Sequence, residues 1–221
     1  MRDGFREVSP ILLGVIPFGL IFGVSAAASD VDQLAAWASS IIVFAGASQL
    51  AIVEVMGTGG AAITALLTAV IINSRHLMYS ADMGRYTSHE PVRSRASIAY
   101  LLTDQAYLLS STRYPDPASS NGVIPYYFGT ALTLWITWQI TTTAGFFLGN
   151  VIPASWSLEF AIPLVFGALL ILAVRTKPAL LSAIVGGVVA VAAMELPYGL
   201  GLMAGAAAGI AAGMISERWL A

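Results

Sequence analysis

Eight apolar stretches, approximately 9–28, 34–56, 60–81, 96–112, 123–149, 157–174, 178–194 and 197–215, follow one another along the chain with only short breaks between them. A run of about 17–25 apolar residues is long enough to cross the hydrocarbon core of a bilayer as a helix, and in lipid a helix satisfies its own backbone hydrogen bonds. A chain built this way has the bilayer as its main solvent. Composition agrees: 57% of residues are hydrophobic and 10% are charged, where a soluble domain carries about 25% charged residues, and the mean hydropathy is +0.81. The expected fold is all-α: a polytopic integral membrane protein of about seven to eight transmembrane helices, some broken or re-entrant. Residues 1–221 read as a single transmembrane domain.

Several function classes fall away on the same grounds. The formal charge of −2 offers no basic face for nucleic acid, and no basic run suggests an anchor to anionic lipid. The chain has no cysteine and two histidines, His76 and His89, which is poor material for a metal site, so neither metal nor cofactor is expected. Residues 1–29 have the outline of a secretory signal, with Arg2 and Arg6, an apolar core and Ser25-Ala26-Ala27-Ala28. The apolar stretch is nevertheless as long as a spanning helix, and retention as the first transmembrane helix is the simpler expectation.

Basic residues concentrate at Arg2/Arg6, Arg85/Arg93/Arg95, Arg113 and Arg175/Lys177, while the breaks at 29–33, 57–60, 150–156 and 195–197 have none. The positive-inside rule puts the basic groups on the cytoplasmic side. Simple alternation then fails, because three apolar segments separate Arg6 from Arg85 and one separates Arg95 from Arg113. Either the rule is broken locally, or at least two early segments, 34–56 and 96–112, are broken or re-entrant, which lipid permits only where protein or water covers the exposed backbone.

The polar residues inside these segments are few and clustered. After the run Ala61–Ile72, whose only polar residues are two threonines, come Asn73, Ser74, Arg75 and His76 in succession, with Asp82 and Arg85 close behind. On a helix, Asn73, His76 and Ser80 share one face, and Arg75, Tyr79 and Asp82 share the opposite one. A charge near the bilayer centre costs roughly 2.5–3.5 kcal/mol on the lenient insertion scale. Arg75 therefore has a partner, a ligand or a route to water, or it snorkels to the headgroups with His76 as a packing residue. "FAGASQL" at 44–50 places Ser48 and Gln49 after three small residues in the second segment. It reads either as a helix crossing with polar glue or as a helix break lining a substrate cavity. In the fourth segment, Tyr100, Asp104, Tyr107 and Ser111 form one helical stripe, where a buried Asp104 could exchange protons or hold an ammonium group.

Gly201, Gly205, Gly209 and Gly213 recur at intervals of four and leave a flat groove for close helix packing, within the chain or against another subunit. The pattern "PFGLIFGVSAAA" at 17–28 returns as "PYGLGLMAGAAA" at 197–208. Duplicated halves are a transporter architecture, although chance similarity is the simpler account in a composition so rich in Ala and Gly.

"FAGASQL", then "NSRHLMY" about one helix later, then "TDQAY", then Gly145-x-x-x-Gly149 and "IPASWSLEFAIPL" resemble, in order and spacing, the AzlC-type branched-chain amino acid permeases. The resemblance covers almost the whole chain, and its most specific part is the Asn-x-Arg-His step. It implies a multi-pass transporter of the bacterial cytoplasmic (inner) membrane that exports leucine, isoleucine, valine and related amino acids. It also implies a small hydrophobic AzlD-type membrane subunit as partner, in a homo- or hetero-oligomer. The family's motif positions fall on Gln49, on Asn73, Arg75 and His76, and on Thr103 and Asp104. Where many relatives carry an acidic residue, this chain has Gln105.

A zwitterionic substrate needs a cation for its carboxylate, an anion or carbonyls for its ammonium group, and an apolar wall. Arg75 and Asp104 supply the first two, with Asn73, Gln49, Ser48 and Tyr79 as further substrate-binding candidates and Asp104 and His76 as proton-coupling candidates. Coupling to the proton motive force is the expected drive, and no enzyme activity is expected. Two other readings stand beside this one. A Ser48/His76 dyad would make an intramembrane hydrolase, although no glycine follows Ser48 as it does in rhomboid-type proteases. The other is a non-transporting structural or channel subunit.

Overall fold

A computed structural model describes residues 1–29, 31–57, 59–116, 122–148, 176–196 and 200–220, with positions 167, 170, 171 and 174. The described residues are helical and form no strand. The chain divides into two compact units, Met1–Val165 and Phe166–Ala221. The apolar segment 157–174, with "IPASWSLEFAIPL", falls almost wholly outside the described residues, as do positions 197–199 of the second Pro-aromatic-Gly repeat.

The first unit is organised by three long helical paths. Helix α1 (Arg2–Val8) passes through a single 3-10 turn (Ser9–Ile11) into α2 (Leu12–Ala28). Pro10 lies in that turn, where its missing N–H and fixed φ fit the start of the next helix. Helices α5 (Ala62–Asn73) and α6 (Arg75–Thr87) form a second path interrupted only at Ser74, and α9 (Val123–Leu148) is the third. Gly19 lies against Thr141, Gly23 against the backbone of Thr142 and Phe146, and Gly145 against the backbone of Leu20. The residue numbers rise together, so α2 and α9 run parallel. Any Cβ at Gly23 or Gly145 would strike the facing backbone. Beside this seam the ring of Trp138 stacks on Phe22 at 5.9 Å and meets Phe18 edge-on at 5.3 Å.

The other two apolar segments of this unit do not run through. Helix α3 (Gln33–Ile42) starts just beyond Ser29, capped by Asp32, whose carboxylate accepts from Ala35 N at 2.8 Å. Trp37 Nε1 donates to Thr143 near the far end of α9, and Gln139 Nε2 donates to Ser40 O one turn nearer its middle. After Val43–Ala45 the chain reverses, and α4 (Gly46–Gly57) leads back until Gly57 again lies beside Ser29. The turn that follows needs glycine at its left-handed position, Gly59 (φ +77°).

The mirror-image event occurs at the opposite end. Tyr86 at the close of α6 donates to Tyr114 O, and α7 (Val92–Tyr100) turns inward until Tyr100 reaches Trp135 in mid-α9. The chain breaks at Leu101–Thr103, and α8 (Asp104–Arg113) returns to place Arg113 beside Asp3 and Glu7 of α1. Both segments expected to be broken or re-entrant thus fold back on themselves. The basic groups at Arg2/Arg6, Arg85–Arg95 and Arg113 consequently share one end of the unit. Of five apolar segments before residue 149, three run from end to end.

The break at 101–103 corrects one expectation. Tyr100, Asp104, Tyr107 and Ser111 are not one stripe: Tyr100 belongs to α7 and faces Trp135 and Phe44, whereas Asp104 and Tyr107 belong to α8 and face α6. The stripe assumed one continuous helix through 96–112, but the Thr103 side chain caps a new helix by accepting from Ala106 N.

The second unit contains the hairpin of α10 (Lys177–Ala192) and α11 (Leu200–Leu220). Thr176 caps α10, accepting from Ala179 N. Gly201 lies against Ala193, Gly205 against Ala190 and Gly186, and Gly209 and Gly213 against Ser182, whose hydroxyl donates to Gly209 O at 2.7 Å. The glycine ridge therefore packs within the chain.

Candidate functional site

Three helix breaks, at 43–45, at Ser74 and at 101–103, meet near the middle of the first unit. Each break frees backbone groups that lipid cannot satisfy, so each must find side-chain partners. At the first, Phe44 takes a left-handed conformation (φ +44°), and the carbonyl ends of α3 are met from other elements. Gln139 donates to Ser40 O at 2.9 Å, and the Tyr100 hydroxyl donates to Ile41 O while accepting from Trp135 Nε1 at 2.9 Å. Gln49, 1% exposed, accepts from Ala45 N through Oε1 and donates to Ser39 Oγ through Nε2, both at 3.0 Å. Ser48 donates to Ala45 O and accepts from Asn73 Nδ2, both at 2.9 Å. Close approach is possible because Gly46 carries no side chain where the Trp138 ring lies. The "FAGASQL" stretch is a helix break, and its Gln and Ser side chains hold it.

The second cluster lies along the seam of α6 and α8. Arg75 Nη2 is 3.0 Å from Asp104 Oδ2, with the side chains 28% and 17% exposed. One turn further, the rings of Tyr79 and Tyr107 stack with centroids 4.4 Å apart and planes 18° from parallel. Tyr107 then donates to Asp82 Oδ2 at 3.1 Å, and Arg85 Nη1 donates to Asp82 Oδ1 at 3.0 Å. The face Arg75–Tyr79–Asp82 read from helical periodicity is therefore the face turned toward α8. Asn73 faces α4, His76 contacts Asn73 O through Nδ1 at 3.2 Å and meets Tyr79 edge-on at 5.8 Å, and Ser80 lines a cleft toward α7.

Asp104 is the first residue of α8, where a helix start carries roughly half a positive charge and suits a carboxylate. Arg75 follows Ser74, which is helical in conformation and closes α5 as it opens α6, so the two helix ends offset each other there and the guanidinium is held by Asp104. Asn73 Oδ1 and Asp104 Oδ1 are buried acceptors without a hydrogen-bond partner among the described residues. The site thus presents a cation paired to a carboxylate, and two open acceptors beside it.

Ser48, Gln49, Asn73, Arg75, His76 and Asp104 lie at the breaks or within about one turn of them, with Tyr79 just beyond. Ser48, Gln49 and Asn73 form the neutral cluster; Arg75, Tyr79 and Asp104 form the charged one, with His76 between them. The Ser48 hydroxyl donates to Ala45 O, so its proton is not directed at His76. Sequence reasoning missed Ser39 and Gln139 and gave Tyr100 the wrong neighbours. Gln139 carried a usable signal, because an amide deep in an apolar segment needs a partner; a serine in such a segment carries almost none.

The family model for the AzlC protein matches residues 10–152, from the 3-10 turn before α2 to just beyond the end of α9. The chain is 25% identical to an inner membrane protein of Escherichia coli K12, YgaZ, over 98% of this chain and 91% of the relative. It is 26% identical to a membrane protein of Archaeoglobus fulgidus, covering 94% and 91%, and 22% identical to one of Helicobacter pylori, covering 67% and 64%. No solved structure matches. With both folded-back hairpins and all three breaks inside the matched region, the chain belongs to the AzlC family of membrane proteins.

Proposed function

We propose that the chain is the large subunit of a transporter that exports branched-chain amino acids such as leucine, isoleucine and valine across the bacterial inner membrane, driven by the proton motive force. The observation that carries this reading is the Arg75–Asp104 pair at the meeting of three helix breaks. An amino acid zwitterion can enter such a pair by exchange of partners. Its carboxylate takes the Arg75 fork, its ammonium group takes Asp104 Oδ1 and Asn73 Oδ1, and every charge remains paired. Broken helices around a mid-depth site are the usual means by which transporters desolvate charged substrates. Protonation of Asp104 would release Arg75 to an incoming carboxylate, which couples substrate binding to a proton; His76, one residue from Arg75, is the second candidate for that role.

The two folded-back hairpins enter from opposite ends, and each would close the site from its own side. With the basic end cytoplasmic, α7–α8 is the inner hairpin and α3–α4 the outer. Among the described residues of the first unit, three of the five apolar segments run from end to end, where hydropathy alone would have counted five. A small hydrophobic AzlD-type subunit completes the proposal; the exposed Leu66, Leu67 and Val70 of α5 offer it an apolar face. The test is counterflow of labelled leucine in proteoliposomes, with and without such a subunit and a pH gradient. Saturable flux that responds to the gradient is expected. Its absence under all four conditions would leave a non-transporting subunit.

A further inference from the structure

We infer that the surface groove between α1 and α9 is a binding site for an anionic phospholipid. The argument begins with how charge is sorted around α1, whose sequence interleaves Arg2, Asp3, Arg6 and Glu7. Residues four apart lie on one face of a helix, so the acids form one row and the arginines another. The acids are engaged by Arg113, with Asp3 at 3.4 Å and Glu7 closer still, and Glu7 also accepts from Tyr126 at 2.7 Å. Arg2 and Arg6 form no ion pair among the described residues.

Both arginines instead line a cleft of about 440 Å³ whose other walls include Phe5, Phe128, Leu132 and Ile136. The charges lie just before the long apolar run that starts at residue 9, which is where a headgroup would lie. From there Phe128, Leu132, Ile136 and Ile140 follow at intervals of four along α9, Ile136 51% and Ile140 63% exposed, leading away from the charged end. Two planar guanidinium forks one turn apart suit a phosphate, and the stripe below them suits an acyl chain. A soluble anion would leave the apolar wall bare, and a neutral lipid would leave the arginines uncompensated. Basic pockets between membrane helices are a recognised means of holding anionic headgroups. The sequence lacks the basic run of a surface anchor, and this site does not need one because the fold aligns two separated arginines over an apolar groove.

The test uses the full chain in detergent, titrated with phosphatidylglycerol or phosphatidylcholine and read by native mass spectrometry. Phosphatidylglycerol should be retained in preference to phosphatidylcholine. The double variant Arg2→Gln/Arg6→Gln should weaken phosphatidylglycerol by on the order of tenfold, whereas Arg93→Gln/Arg95→Gln, the same loss of charge elsewhere at that end, should change it less than about twofold. Leu132→Trp, which keeps both arginines but fills the groove, should also lose the lipid, and serves if the double arginine variant does not fold. Soluble glycerol phosphate should not displace the lipid. Equal retention of the two lipids, equal loss in the Arg93/Arg95 control, unchanged binding in Leu132→Trp, or displacement by glycerol phosphate would each overturn the assignment.

Discussion

The two folded-back hairpins solve the same physical problem with different chemistry. At the tip of α3–α4 the freed backbone is met by neutral groups: Gln49, Ser48, Asn73 and Gln139, all within hydrogen-bond distance of their partners. At the tip of α7–α8, Thr103 caps the returning helix, and its first residue, Asp104, is ionically paired across to Arg75. Neutral hydrogen bonds within buried structure fix a shape and have no reason to exchange. An ion pair that is partly exposed, with one oxygen unengaged, can change partners. Under the proposed transport reading the difference suggests a division of roles: the first tip as framework, and the second as the part that would respond to a charged substrate or a proton.

Substitutions that treat the two tips differently test this division. The largest effect is expected at the charged tip. Asp104→Asn should abolish transport driven by a pH gradient, while exchange of one amino acid for another persists in part if the carboxylate is the proton site. Arg75→Lys keeps charge but loses the planar fork, and should weaken leucine binding roughly tenfold or more, the scale of a lost charge-assisted hydrogen bond. Wild-type flux in both variants at matched expression would remove the pair from the mechanism.

A smaller loss, and of another kind, is expected at the neutral tip. Gln49→Leu leaves Ala45 N–H and Ser39 without their partner and should cost about 1–3 kcal/mol of stability, seen as a lowered unfolding temperature. Leucine affinity in the protein that remains folded should change less than in Arg75→Lys. An affinity loss as large as that of Arg75→Lys, with stability intact, would make the neutral tip part of the substrate contact. Next comes Tyr100→Phe, which removes the hydroxyl linking the two tips through Ile41 O and Trp135; a stability loss of about 1 kcal/mol and an altered exchange rate are expected.

Topology can be tested without perturbing either tip, because the chain has no cysteine. A cysteine at Ser88, in the turn between α6 and α7, should be protected from an impermeant reagent applied outside intact cells, whereas one at Ala61, in the turn after α4, should be labelled. Labelling at Ser88 from outside would reverse the assignment of inner and outer hairpins.

Much of the site was legible in the sequence because its chemistry is costly in lipid. Arg75, Asp104, Gln49 and Asn73 stand out from apolar surroundings, and the face shared by Arg75, Tyr79 and Asp82 follows from a period of 3.6 residues alone. The failed alternation of basic residues also pointed to folded-back segments before any contact was known. Among the described residues, a long path followed by a folded-back hairpin occurs twice within residues 2–113, an order that no sequence motif announced.

The sequence by itself determined that the chain is helical, that its solvent is lipid, and which few polar residues must be shielded from that solvent, because composition, period and desolvation cost are local properties. Only the tertiary structure decided where the helices stop. An apolar run reads the same whether it crosses or turns back, and the turn at 43–45 or 101–103 exists only because partners distant in sequence satisfy the backbone. Gln139 reaches Ser40 O, Tyr100 reaches Ile41 O, and Arg75 reaches Asp104. Those contacts belong to the packing of several helices at once, which no window along a single chain contains.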